Sequence, residues 1–176
     1  MELHGTRQIA AGRQTVWDAL NDPAILKDCI PGCREMTGNA EDGFTVVATQ
    51  KIGPVKATFR GKVKLGDIVE GRSYRISGEG KGGAAGFAKG GADVTLEDAD
   101  GGTRLVYRVD AKVGGKLASI GGRVIDGVAR KLADQFFENF QNKVAPVPEE
   151  AGAGPEPEEP EGWLARVLAW LRRLFG

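Results

Sequence analysis

The sequence predicts an α+β fold in which a curved antiparallel sheet of about seven strands wraps around a long C-terminal helix. Between residues 34 and 114, apolar and polar side chains alternate in segments separated by glycine-containing turns, a pattern typical of antiparallel strands. Between residues 116 and 143 the apolar period lengthens to about 3.6 residues, which predicts a helix. One apolar sheet face and one apolar helix stripe can then cover each other.

The N-terminal part is predicted to form one strand followed by two short helices. Residues 2–10 fit a strand, and a helical apolar period then passes through Val16 and Leu20. The Asn-Asp-Pro sequence at residues 21–23 interrupts this period, because proline is tolerated in the first turn of a helix and not in its interior. A second short helix is therefore expected before the turn at residues 29–33.

The segment 56–65 shows the strand pattern most clearly. Its inward positions are Ala57, Phe59, Gly61, Val63 and Leu65. Cationic residues occupy most of the alternate positions. The Asp-Gly pairs within residues 41–43 and 100–102 favour tight hairpin turns.

The predicted helix 116–143 carries one apolar stripe. Its members are Leu117, Ile120, Val124, Val128, Leu132, Phe136 and Phe140. Charged residues such as Arg123 and Glu138 fall on the other side, so the stripe is expected to pack on the sheet.

The composition argues against several functional classes. The 176 residues carry 24 Lys plus Arg and 24 Asp plus Glu, and a formal net charge of zero gives no sign of a nucleic-acid partner. The N-terminal segment lacks the apolar core of a signal peptide, and two cysteines fit a reducing, cytoplasmic compartment.

Catalytic and metal-binding sets are also missing from the pattern. A single histidine, His4, leaves no histidine-containing triad, and the pair Cys29 and Cys33 lacks the further ligands of a zinc site. The strand carboxylates Asp93 and Asp110 fall on the outward phase, so they do not predict a carboxylate pair facing the interior. We therefore expect no catalytic residues, no metal and no covalent cofactor.

Small residues on the inward phase leave two interpretations of the interior open. Ala57 and Gly61 are too small to fill the space between the sheet and the helices, which predicts an apolar cavity. Alternation alone favours the other interpretation, an ordinary packed core. The predicted cavity-lining residues are Trp17, Leu20, Ile25, Ile30, Phe44, Ala57, Phe59, Gly61, Tyr74, Phe87, Tyr107, Leu132 and Phe136.

The glycine-rich segment 78–91 does not fit a phosphate-binding loop. It lacks the Gly-Lys-Ser/Thr ending, and strands rather than a helix flank it. We expect a flexible hairpin or bulge that gates the cavity mouth, with Phe87 as an apolar plug, or else a plain irregular hairpin.

Two further segments follow the folded domain, which is predicted to span residues 1–143. Residues 144–161 are rich in proline and glutamate and are predicted to be a disordered linker, because this composition buries little apolar area. Residues 162–176 are predicted to form an amphipathic, membrane-binding helix. Its apolar arc consists of Trp163, Leu164, Val167, Leu168, Trp170, Leu171, Leu174 and Phe175, and its cations are Arg166, Arg172 and Arg173.

The tail helix is too short to cross a bilayer. About 14 helical residues reach about 21 Å, whereas a hydrocarbon core measures about 30 Å. Its apolar arc could cover a membrane surface, a groove on a partner or the protein's own body. The tryptophans favour the headgroup region and the arginines favour anionic lipids.

Several short motifs follow one another in a specific order along residues 1–143. They are Trp17, the Asp22-Pro23 break, Cys29-Ile30-Pro31-Gly32-Cys33, Ile52-Gly53-Pro54-Val55, Phe59-Arg60-Gly61, the strand pair from Gly78 to Val94, and residues 110–126 leading into 135–140. In order and spacing these motifs resemble the G-subunit family of carbon monoxide dehydrogenase, within the START-like, or helix-grip (SRPBCC), superfamily.

The resemblance implies a helix-grip fold, a hydrophobic cavity and an accessory role beside a molybdenum-containing carbon monoxide dehydrogenase. The usual role in that family is to attach the dehydrogenase to the cytoplasmic membrane. The protein is then expected to be cytoplasmic and peripheral on the inner face of the cell membrane. The tail would be the membrane tether, on a linker that reaches up to about 60 Å when extended.

A membrane tether, an apolar cavity and a redox partner together favour a lipid-soluble quinone, menaquinone or ubiquinone, as the bound hydrophobic small molecule. Two alternatives stay open. A cyclase-type START-like enzyme would place a titratable residue in the cavity, and a pure assembly or docking factor would have a fully packed core. The cationic outward face of residues 56–64 is either a solvated face or a patch that meets an acidic surface of the dehydrogenase.

Overall fold

The computed structural model describes residues 1–145, which form a seven-stranded antiparallel sheet, three α-helices and two 3₁₀ turns. The strands are β1 (Glu2–Ile9), β2 (Cys33–Asn39), β3 (Gly43–Ile52), β4 (Val55–Val69), β5 (Ser73–Lys81), β6 (Phe87–Ala99) and β7 (Gly102–Gly114). The helices are α1 (Arg13–Leu20), α2 (Pro23–Cys29) and α3 (Gly122–Val144), and the 3₁₀ turns cover Gly83–Ala85 and Gly115–Ile120. The predicted tail helix 162–176 and the linker from residue 146 onward lie outside the described residues.

The strand order is β1-β7-β6-β5-β4-β3-β2, with antiparallel pairing throughout. Strands β2 to β7 follow one another as a meander, and β1 adds to β7. Strands β1 and β2 are the two edge strands, so the segment that contains α1 and α2 crosses from one edge of the sheet to the other. The predicted α+β fold, a curved antiparallel sheet with a long C-terminal helix, is confirmed.

The predicted break between the two short helices is also confirmed. The Asp22 carboxylate accepts hydrogen bonds from the backbone N–H groups of Ala24 and Ile25, which would otherwise lack partners at the start of α2. At the other end of α2, the Asn139 side chain of α3 donates to the Cys29 carbonyl oxygen at 3.1 Å. Helix α2 is therefore fixed to the C-terminal half of α3.

The long helix begins later than its apolar stripe predicts. Residues 115–120 form a 3₁₀ turn, and Gly121, with φ +103°, separates this turn from α3. Leu117 is 1% exposed and packs with Val55 and Ala85 in a small second core. The first two positions of the predicted stripe, Leu117 and Ile120, therefore contribute to that core and not to a continuous helix.

The main core lies at the opposite end of the strands. Residues from α1, β1, β5, β6 and β7 pack there against the C-terminal half of α3, in which Phe140 is fully buried. Phe136 stacks on Phe140 with ring centroids 5.8 Å apart, and Phe137 stacks on Tyr107 at 5.1 Å. The space between the two cores is where the candidate site lies.

Candidate functional site

The pairing register determines the size of the side chains along the inner face of the sheet, which is the face toward α3. At the main-core end, Tyr74, Val94 and Tyr107 lie side by side on β5, β6 and β7. The rows that follow along the strands are Ile76-Ala92-Val109, then Gly78-Gly90-Ala111, then Gly80-Ala88-Val113. Side-chain volume therefore falls along the strands, and the sheet has too little bulk there to fill the space beneath α3.

An apolar cavity of about 320 Å³ lies between the sheet, α2 and the C-terminal half of α3. It is lined by Leu3, Leu20, Leu26, Ile30, Met36, Phe44, Val46, Val63, Leu65, Tyr74, Ile76, Ala92, Val94, Leu105, Tyr107, Val109, Ala133, Phe136 and Phe137. The wall presents almost no polar atoms, so the space suits an apolar molecule better than a polar one.

A second hollow of about 400 Å³ continues from the cavity along the glycine-rich part of the inner face. The two spaces share Ile30, Val46, Val63, Ile76, Ala92 and Val109 as wall residues. The floor of the hollow includes Gly61, Gly78, Gly80 and Gly90. At Gly80 an added Cβ would meet its nearest neighbour at 4.0 Å, whereas at Gly90 it would collide with the Asp110 carbonyl oxygen. Together the cavity and the hollow form an elongated apolar site.

The cavity wall carries two tyrosine hydroxyls in different states. The Tyr107 hydroxyl lies 3.4 Å from a guanidinium nitrogen of Arg7, which donates to it. No hydrogen bond within residues 1–145 involves the Tyr74 hydroxyl; the residue is 5% exposed, and the hydroxyl itself is not among the fully buried polar atoms that lack a partner. Burial raises the pKa of Tyr74 well above its ordinary value, so the group stays protonated. The Tyr74 side chain therefore lines the cavity with a protonated hydroxyl.

Arg7 joins the edge strand β1 to α3 beside the cavity. Its guanidinium pairs with Asp134 and lies over the Phe137 ring, 5.2 Å from the centroid. Burial lowers the pKa of Arg7, but its hydrogen bonds to Asp134 and Tyr107 outweigh this and raise it overall, so Arg7 stays charged. This cluster fixes the Tyr107 ring, and within residues 1–145 it also holds the one fully buried polar side-chain atom without a partner, Arg7 Nε.

Six of the predicted lining residues lie together on the cavity wall. They are Leu20, Ile30, Phe44, Tyr74, Tyr107 and Phe136. Phe59 and Gly61 line the adjoining hollow. These eight residues come from six different elements and the loop after α2, and the curvature of the sheet brings them to one site.

The other predicted lining residues lie elsewhere. Trp17 is buried behind Tyr74, with which it makes an edge-on contact at 5.4 Å, and Ile25 packs against the main core. Ala57 packs against the small second core, and Leu132 is half-buried on α3 beside the cavity-lining Ala133. Alternation and helical period predicted correctly that these side chains face the interior, but they did not predict which of them reach the cavity.

The prediction that Phe87 plugs the cavity mouth is wrong. Phe87 pairs with Lys81 on β5 and Gly114 on β7, out of phase with the inward Ala88, so its ring lies on the outer face of the sheet. It is 42% exposed there. The positive φ of +108° at Gly86, at the end of the 3₁₀ turn, precedes this strand, and the glycine-rich sequence alone did not set the phase.

Several wall residues were not predicted as lining. Val46, Val63, Leu65, Val94 and Val109 follow the inward alternation, so their orientation could be read from the sequence although their contact with a cavity could not. Phe137 follows Phe136 directly, and a helical stripe does not identify both neighbours as inward. In the structure both Phe136 and Phe137 line the cavity.

The wall of the cavity is apolar, and Asp, Glu, His and Cys are absent from the residues that line it. The adjoining hollow includes Glu79 and Asp110, which lie on the outward phase of β5 and β7. The buried Cys29 lies off the wall, and burial raises the pKa of its thiol. Within residues 1–145, His, Cys, Asp and Glu form no cluster suited to a metal ion, and no helix combines the length and hydrophobicity needed to cross a bilayer.

Comparison with known proteins adds a family and several structural relatives. Residues 5–145 match the family described as the carbon monoxide dehydrogenase G subunit (CoxG). No curated protein matches the sequence. The solved structure of a conserved protein from Geobacillus kaustophilus is 32% identical, with a TM-score of 0.77 over 82% of this chain and 95% of that one.

More distant structures share the fold. A protein from Rhizobium leguminosarum is 15% identical, with a TM-score of 0.62 over 82% of this chain and 93% of its own. A protein from Thermus thermophilus is 13% identical, with a TM-score of 0.61 over 82% of this chain and 97% of its own. At these identities the likeness concerns the fold alone.

Proposed function

Because this chain belongs to the CoxG family of carbon monoxide dehydrogenase G subunits, we propose that it is a non-catalytic accessory protein of a molybdenum-containing carbon monoxide dehydrogenase. In this role it recruits the enzyme to the inner face of the cytoplasmic membrane and carries a lipid-soluble quinone. The observation that carries the proposal is an elongated apolar cavity with one unpaired hydrogen-bond donor in its wall.

The cavity matches the chemistry of an isoprenoid quinone, either menaquinone or ubiquinone. Such a molecule has a flat ring and an apolar chain, which suit an elongated space lined by aliphatic and aromatic side chains. Its carbonyl oxygens are hydrogen-bond acceptors only, and the protonated Tyr74 hydroxyl is a donor without a partner among residues 1–145. A carbonyl oxygen placed beside Tyr74 would give this hydroxyl an acceptor that residues 1–145 do not supply.

The site gives less support to the two alternative functions. A cyclase-type enzyme needs a general acid or base beside its substrate, and the cavity wall holds no carboxylate or imidazole. A pure docking factor has no use for an unfilled interior, which lowers stability. A carrier accounts for both the apolar wall and the space.

The membrane part of the proposal is supported by the sequence of residues 162–176. Eight large apolar residues, each half-buried at the interface, would contribute on the order of 8 kcal/mol before the cost of ordering, at about 25 cal/mol per Å². Arginines near anionic headgroups add about 1 kcal/mol each at low salt. Binding of this strength is reversible, which suits a carrier that moves between the lipid and an enzyme.

The cargo is tested by native mass spectrometry of the full-length protein purified from its own membranes. We expect a bound species with the mass of a quinone, and we expect it to disappear after extraction with organic solvent. Recovery of the protein with no lipid adduct, together with no binding of added short-chain menaquinone, would contradict quinone carriage.

The tether is tested by sedimentation with anionic vesicles. Deleting residues 162–176 is expected to weaken co-sedimentation strongly, and Leu168→Glu is expected to do nearly the same because it puts a charge on the apolar arc. Arg172→Glu should weaken binding to anionic vesicles more than to neutral ones. A tail that binds purified dehydrogenase and ignores vesicles would place its groove on the enzyme instead.

A further inference from the structure

The outer face of the sheet, which points away from α3, carries a cluster of cations that we call the outer basic patch. It consists of Arg60, Lys62, Lys64, Lys81, Lys89 and Lys112, all exposed. The register places them on adjoining rows, since Arg60 pairs with Lys81 and Lys62 lies on a row with Glu79, Lys89 and Lys112. Four neighbouring strands, β4 to β7, therefore contribute to one surface.

The patch differs in charge balance from the rest of the same face. Its rows carry two carboxylates, Glu79 beside Lys62 and Asp110 on the row of Lys64. None of the six cations lies within ion-pair distance of an acid among residues 1–145. Nearer the main core, Arg75 bridges Asp93 at 2.8 Å and Asp110 at 2.9 Å. Arg75 is thus neutralised by two neighbours, whereas the patch, with six cations and two carboxylates on its rows, presents an excess of positive charge.

An exposed aromatic side chain lies within the patch. Phe87 is 42% exposed and sits between Lys81, its partner on β5, and Lys89, two residues further along β6. Its ring covers the backbone of Gly114 on β7. An aromatic ring surrounded by lysines, with nothing covering it among residues 1–145, combines an apolar contact with long-range attraction to negative charge.

We propose that the outer basic patch binds an anionic phospholipid surface, with Phe87 inserted at headgroup depth. Five of its six cations are lysines, which are depleted in protein–protein interfaces relative to arginine, whereas lysine clusters attract acidic lipid headgroups without needing specific geometry. A cluster spread over one face of four strands fits an extended charged surface better than a single anion. This contact is independent of what fills the cavity.

The contact would orient the domain on the membrane. The patch and the cavity lie on opposite faces of the sheet, as Arg60 and Lys62 point outward while Phe59 and Gly61 line the inner hollow. Binding by the outer face therefore leaves the cavity side directed away from the lipid and accessible to another protein. A tail helix alone, on a long linker, would not set this orientation.

The test uses the full-length protein and vesicles of phosphatidylcholine with or without phosphatidylglycerol. The patch variant is Lys62→Glu/Lys89→Glu, and the matched control is Lys27→Glu/Lys131→Glu, which makes the same charge change on exposed positions of α2 and α3. Both are measured with the native tail and in a Leu168→Glu/Leu171→Glu background that disables its apolar arc. Quinone content is measured in parallel.

We expect the patch variant to bind anionic vesicles at least about tenfold more weakly than the control in both backgrounds at low salt. Quinone content should be unchanged, which separates this proposal from the proposed cargo. Phe87→Ala should weaken binding at high salt as well, since its contact is not screened. Equal effects of the patch and control reversals would overturn the proposal. Loss of binding to purified dehydrogenase with unchanged vesicle binding would also overturn it, and would assign the patch to an acidic protein surface.

Discussion

The two ends of the inner face of the sheet are built from the same strands and have opposite packing. At the main-core end, Leu96 and Leu105 are 2% and 1% exposed and are covered by α1 and α3. Further along the strands, β4, β5 and β6 place Gly61, Gly80 and Ala88 inward, and an open hollow results. The pairing is continuous at both ends, so the size of the side chains that the register brings into one row decides whether this sheet encloses a core or a cavity.

The difference also separates stability from ligand capacity along a single element. Close packing at one end supplies most of the apolar burial that holds α1 and α3 on the sheet. Glycine and alanine at the other end contribute little burial, and their strand positions carry a backbone entropy cost. Substitutions at the two ends of the sheet should therefore have different effects on stability and on ligand affinity.

A matched pair of leucine truncations compares the two ends directly. Leu96→Ala in the main core should lower the free energy of unfolding by about 3–5 kcal/mol, because it opens a new void in close packing. Leu65→Ala, on the half-buried cavity wall, should cost only about 1–2 kcal/mol, since its side chain already borders open space. Urea denaturation measures both, and equal losses would contradict the difference in packing.

A larger side chain in the hollow should fill the open end of the inner face and displace a ligand from it. Gly80→Leu has room for its Cβ, and the side chain points into the hollow, so the melting temperature should not fall while quinone-analogue affinity drops at least about tenfold. The control is Gly66→Leu, an exposed strand position whose added Cβ meets nothing within 4 Å. If Gly80→Leu binds the analogue as tightly as the parent does, the hollow is not part of the binding site.

The two tyrosines test the border between the packed end and the cavity. Tyr74→Phe removes a hydroxyl with no partner among residues 1–145, so stability should be unchanged, and analogue affinity should fall about fivefold to tenfold through loss of one hydrogen bond. Tyr107→Phe removes the acceptor of an Arg7 hydrogen bond and should lower stability by about 1 kcal/mol with a smaller effect on affinity. Calorimetric titration and thermal melting distinguish these outcomes. A Tyr74→Phe protein with full affinity would remove Tyr74 from the site.

Much of the architecture follows from short-range features of the sequence. The alternation along residues 56–65, the Asp-Gly turns and the break at residues 21–23 each act through neighbouring residues, and each appears in the structure as predicted. The fold class follows because one apolar sheet face and one apolar helix stripe have few ways to cover each other.

The site depended on contacts between residues distant in sequence. Whether the interior is packed or hollow is set by how rows such as Gly78-Gly90-Ala111 align across three strands, and a single strand does not contain that register. The phase of Phe87 was set by the turn through Gly83–Ala85, and the start of α3 by Leu117 joining a separate core. The sequence by itself determined which residues prefer strand, helix or turn, because those preferences are local. Only the tertiary structure decided the depth of each inward side chain, the free hydroxyl of Tyr74 and the space between the two cores, because these depend on the volumes of all the surrounding residues at once.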